Sequence, residues 1–162
     1  MKRYKIGRTA VALILLLLSL TSFSQTDASI VEFKNPSSVV NPKGYSQAAV
    51  IDLGNCQMII LSGQVPLDKN GNLVGKNDME KQTEQVFVNI KNILTDLGGT
   101  MDNIVKLGIY VKDVSQIQSL RNVRDRFINT QTPPASTLVE ITKLFREDIL
   151  IEIEATAIIP KK

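Results

Sequence analysis

Met79, Thr83, Val86, Phe87, Ile90, Ile93, Leu94 and Leu97 recur at three- and four-residue steps. That spacing lays one stripe along an α-helix. Asn77 or Asp78 supplies a capping side chain at its start, and Gly98-Gly99 stops it. The rhythm then changes. Val105, Leu107, Ile109 and Val111 alternate with Lys106, Gly108, Tyr110 and Lys112, which predicts a strand with one face on a core. Ser115 followed by Gln118 reads as a capping box for a second helix with the stripe Ile117, Leu120, Phe127 and Ile128. Arg124 falls near the middle of that stripe, where an arginine is expected to snorkel or to pair. Pro133-Pro134 ends the segment.

Two apolar runs, Ala48 to Leu53 and Cys56 to Leu61, flank Gly54-Asn55 and predict a hairpin. A short first strand is expected near Ile30 to Phe33, and Asp68 to Asn72 is a turn cluster. Thr137 to Ile141 and Ile149 to Ile158 are the last two expected strands. Two helices among about five or six strands predict an α+β layer, with both helices on one face of a mixed sheet.

The front of the chain belongs to neither pattern. Lys2, Arg3, Lys5 and Arg8 precede an apolar stretch from Ala10 to Leu20, and Ser22-Phe23-Ser24 places small residues before Gln25. A core of that length fits a cleaved signal peptide over residues 1–24 better than a spanning helix, which wants about 20 apolar residues. The domain then occupies residues 25–162, exported to the periplasm or secreted, with no stable membrane association after cleavage. Export changes the charge balance. The chain has 19 Lys+Arg and 16 Asp+Glu, and residues 1–24 hold four of the bases and no acid. The remainder carries 15 bases against 16 acids, a net charge of −1, so the basic pI gives no support for nucleic-acid binding.

Histidine is absent. That removes Ser-His-Asp and Cys-His catalysis and imidazole metal sites. Cys56 is the one cysteine, so there is no intramolecular disulfide, and its strand-like flanks suggest a small core residue rather than a reactive thiol. Glu152 and Glu154, in Ile151-Glu152-Ile153-Glu154-Ala155, share one strand face about 6–7 Å apart. Two carboxylates so placed suit acid/base work or an ordinary solvated face. Gly63, in Ser62-Gly63-Gln64, lets a ligand approach the backbone or eases a bend.

Taken in order, these segments carry more than any one of them. Gly44-Tyr45-Ser46-Gln47-Ala48, Ser62-Gly63-Gln64-Val65-Pro66, Pro134-Ala135 with Val139-Glu140, and Ile151-Glu152-Ile153-Glu154-Ala155 together resemble the RidA (YjgF) family over about residues 33–160. The resemblance implies a chorismate-mutase-like subunit in a homotrimer, its sheets lining a central barrel, with a cleft for a small ligand between subunits. It implies hydrolysis of 2-imino acids or their enamine tautomers to 2-keto acids and ammonia, with no cofactor and no metal. A ligand-binding trimer without catalysis is the alternative. By the same resemblance Glu152 helps position water, and Tyr45, Ser62 and Gly63 line the cleft. Leu138 presents its backbone carbonyl, and Arg121 stands where the family has an asparagine.

One position departs from the pattern. Where the family places a carboxylate-gripping arginine after Pro-Ala, this chain has Ser136. A guanidinium grips a carboxylate through two charged hydrogen bonds, and a serine hydroxyl offers one neutral one. The loss is expected to weaken imino-acid binding about 10- to 100-fold unless Arg121, Arg124 or Arg146 substitutes.

Overall fold

A computed structural model of the protein describes residues 29–161. The expected leader, residues 1–24, lies outside them. Among the described residues no helix is long and apolar enough to cross a membrane.

The strands are β1 (Val31–Lys34), β2 (Ala48–Asp52), β3 (Cys56–Gln64), β4 (Ile104–Val111), β5 (Ala135–Glu140) and β6 (Ile151–Pro160). The helices are α1 (Met79–Asp96) and α2 (Ile117–Arg124). The sheet order is β1-β2-β3-β6-β4-β5. β4 and β5 are parallel, joined through α2, and the other pairings are antiparallel. This is the expected mixed sheet of an α+β layer.

Alternation divides the sheet into two faces. Ala48, Leu61, Ala155 and Leu107 lie in register across β2, β3, β6 and β4, and all four are buried. They join Val86, Phe87, Ile90, Ile93 and Leu94 of α1 and Leu120 and Val123 of α2 in one core, so both helices cover this face. The opposite register row runs Phe33, Ala49, Ile60 and Thr156. No element covers that face among the described residues, and Phe33, Ile60 and Val139 remain exposed on it.

Local chemistry sets the element ends. Of the two candidate caps, Asp78 is the one that accepts from the Lys81 N–H, at 3.0 Å. Gly98, at φ +84°, takes the left-handed turn that ends α1. The capping box predicted for the second helix is not formed. Asp113 accepts from both the Ser115 N–H and hydroxyl, at 2.9 and 2.6 Å, and starts a 3₁₀ turn instead. α2 ends at Arg124, so Phe127 and Ile128 lie beyond it, although both still pack on the core. Phe127 stacks on Phe87 with ring centroids 5.2 Å apart. Cys56 opens β3 only half-buried, at the sheet end opposite Pro160, rather than inside the core.

α1 is fastened to the sheet by a buried amide. Gln82 Nε2 donates to the carbonyls of Asp148 and Gly75, at 2.8 and 3.1 Å, and its Oε1 accepts from the Leu150 N–H at 2.7 Å. Removing one partner from such a set leaves the others unpaired, at about 1–3 kcal/mol per buried group. Gln82→Ala is therefore expected to lower unfolding stability by about 2–4 kcal/mol in urea titration. A loss under about 0.5 kcal/mol would show that water replaces the amide.

Candidate functional site

β3 and β6 pair regularly from Cys56↔Pro160 to Leu61↔Ala155 and slip before Gln64↔Ile153. Ser62 and Gly63 occupy the slip. The Glu152 side chain folds into the space this creates. A Cβ on residue 63 would overlap Glu152 Oε1, so a larger residue here would displace this carboxylate from its present position. The same device recurs one pleat along, where a Cβ on Gly108 would lie 2.5 Å from Glu154 Oε1. Two glycines thus seat the two glutamates of β6 against the open face.

Glu152 lines a cavity of about 640 Å³ together with Tyr45, Ser62, Gly63, Val40, Lys43 and Phe145. Most of its wall comes from loops, and buried amides tie those loops down. Asn89 Nδ2, from α1, donates to the carbonyls of Val65 and Leu67 at 3.0 and 2.9 Å. Gln47 Nε2 donates to the Val40 carbonyl, and Gln64 Nε2 donates to Gln47 Oε1, both at 2.8 Å. The Ser62 hydroxyl donates to the Ser46 carbonyl at 2.6 Å, tying the Tyr45 loop to the slip in β3.

Four of the residues singled out from the sequence, Tyr45, Ser62, Gly63 and Glu152, therefore share one cavity. Within one chain the others lie elsewhere. Ser136 and Leu138 are on edge strand β5, in register with Leu107 and Ile109, with Leu138 half-buried against the core and Ser136 exposed. Arg121 is exposed on α2. Arg124 pairs with Asp125 at 2.7 Å, and Arg146 grips Asp148 through two bonds of 3.0 and 2.6 Å. None of the three arginines lines the cavity.

Lys43 and Phe145 line the cavity without having been singled out. Phe145, 68% exposed, sits in the loop between β5 and β6, where no periodicity marks a position. Lys43 adjoins Gly44-Tyr45, and that adjacency was its one available signal. The buried, bridging roles of the amides Gln47, Gln64, Gln82 and Asn89 were equally hidden, because polar residues read as solvent-facing until their partners are known.

The electrostatics set Glu152 apart. Burial, and secondarily the negative charge of Glu154, push its carboxyl above the usual carboxylate range. Glu154 is more exposed and accepts a hydrogen bond from the Tyr110 hydroxyl at 3.1 Å. That bond, followed by the charge behind it, raises the phenol of Tyr110. A half-buried carboxyl that takes up a proton more readily than usual is suited to exchanging one with a ligand.

A raised carboxyl has a defined sign in stability. The folded state holds the Glu152 proton more tightly than the unfolded chain, so ionisation works against folding. The penalty is absent below about pH 4, where both states are protonated, and develops as pH rises through the folded-state value. Glu152→Gln removes it. The Tm of Glu152→Gln relative to wild type should therefore rise between about pH 4 and pH 7 in calorimetric scans. A difference that is flat or falls over this range would contradict the burial argument.

Over residues 37–159 the chain matches the family model described as Endoribonuclease L-PSP. A RutC family protein of Pyrococcus abyssi is 36% identical over 113 residues, covering 70% of this chain and 84% of the relative. A RutC family protein of Buchnera aphidicola is 37% identical over 130 residues, covering 79% and 95%. Among solved structures, the YjgF gene product of Escherichia coli is similar at a TM-score of 0.67 and 33% identity, over 78% of this chain and 97% of that one. RidA from an Antarctic Psychrobacter is similar at a TM-score of 0.68 and 27% identity, over 78% and 98%.

Proposed function

The chain belongs to the RidA/YjgF family, and from that premise we propose that it is a hydrolytic deaminase of imines and their enamine tautomers, working without cofactor or metal. One observation carries the proposal. Glu152, its carboxyl raised by burial, opens onto the same cavity as Tyr45, Ser62 and Gly63. In this reading Glu152 holds the attacking water and accepts its proton as oxygen adds to the C=N carbon. The nitrogen is protonated, the carbinolamine collapses to a carbonyl, and ammonia leaves. Water and imine are consumed, and ketone and ammonia are formed. The lining supports a small ligand, since apolar Val40, Val65 and Leu67 face it beside a few polar groups.

The uncovered sheet face supports assembly. Phe33, Ile60 and Val139 are 70%, 43% and 40% exposed on it, whereas the other face carries both helices. Apolar surface of this kind favours a partner. In the proposed homotrimer three such faces meet, and the edge of a neighbouring β5 brings Ser136 and the Leu138 carbonyl toward the cavity. Serine in place of arginine there weakens the hold on a carboxylate without touching the water-activating group. The leader is proposed to direct export to the periplasm or beyond, and to be removed; the intact mass of protein from the native envelope reads this, and a chain still starting at Met1 would refute it.

Ammonia release from freshly generated imines tests the activity. Glu152→Gln should lower kcat by about 100-fold or more while leaving ligand affinity within a few-fold. Binding with no ammonia release by wild type would favour a ligand-holding trimer without catalysis. Residues 25–162 should sediment as a trimer, and a stable monomer would remove the shared cleft.

A further inference from the structure

The loss of the family arginine raises a charge problem that the cavity itself addresses. With Ser136 neutral, a ligand carboxylate entering beside Glu152 meets another carboxyl group and no guanidinium. Arg146 is held by Asp148 and Arg124 by Asp125, and Arg121 stands exposed on α2. One cationic side chain does line the cavity, and it is Lys43. Among the described residues no carboxylate pairs with it.

We infer that the Lys43 ammonium holds the carboxylate of a 2-imino acid whose side chain is apolar. This rests on the deaminase reading above and names the residue that anchors the substrate at that site. Lys43 is two residues before Tyr45, on a loop pinned at both ends. The Gln47 N–H donates to Asn35 Oδ1 at 2.9 Å, and Gln47 Nε2 donates to the Val40 carbonyl at 2.8 Å. The backbone is thus fixed while the long side chain stays free to reach inward. The apolar side chain of the ligand is taken by Val40, Leu67 and Phe145. Lysine offers a point charge rather than a planar fork, so the grip is less directional than arginine's and more sensitive to salt.

Calorimetric titration of the purified protein with 4-methyl-2-oxopentanoate, the oxo acid such an imine would yield, tests the anchor. The uncharged ketone 4-methyl-2-pentanone is the control. Lys43→Met should weaken oxo-acid binding about tenfold, while Lys43→Arg retains it. Wild-type affinity should fall as salt rises, and the ketone should bind both proteins alike. Oxo-acid binding unchanged in Lys43→Met, or absent in wild type, overturns the inference. Lysine-dependent oxo-acid binding without ammonia release from the matching imine upholds the anchor and sinks the deaminase reading, so the two failures are distinguishable.

Discussion

Glu152 occupies the space that any side chain at position 63 would need. A Cβ there would come within 1.9 Å of the carboxylate oxygen. The slip between β3 and β6 and the glycine at the slip therefore give the Glu152 carboxylate its present position, and a side chain at 63 would displace it. A regular strand would place a side chain over Glu152 and turn the carboxylate toward solvent. The irregular one leaves it half-buried, and burial is the largest cause of its raised proton affinity. The chemistry proposed for this chain depends on that single packing arrangement, more than on the identity of the surrounding polar groups.

The remainder of the site is a problem of holding loops still. A cavity walled by residues 40–45, 62–67 and 145 has no regular hydrogen-bond ladder on most of its border. Buried amides supply the missing bonds. Asn89 reaches from α1 to two carbonyls of the 65–67 segment, and Gln47 and Gln64 link the Tyr45 loop to the end of β3. Every buried side-chain polar atom among the described residues has a partner. Such networks lose rigidity when half-satisfied, so substitutions at these amides shift the cavity wall.

The elements that were legible in the sequence are those set by one periodicity. α1, β4 and the β2–β3 hairpin follow directly from spacing and from Asp78, Gly98 and Gly54. β6 begins and ends two residues later than the alternation suggested, since Ile149 is buried without being paired. α2 is shorter than its stripe because beyond Arg124 the backbone turns through i→i+3 bonds, with Arg126 N–H donating to the Val123 carbonyl and Phe127 N–H to the Arg124 carbonyl. Of the site, the shared cavity of Tyr45, Ser62, Gly63 and Glu152 follows the order of motifs. Lys43 and Phe145 could not be read that way. They lie in loops, where side chains converge through tertiary packing and leave no local pattern.

In the proposed mechanism the Glu152 carboxyl handles the proton of the reaction. That role is tested most directly by following the carboxyl with carbon-13 NMR while measuring kcat/KM for ammonia release across the same pH range. The rate should rise with ionisation of Glu152, with one midpoint common to both curves and above that of an ordinary glutamate. A rate that stays level while Glu152 titrates would contradict it.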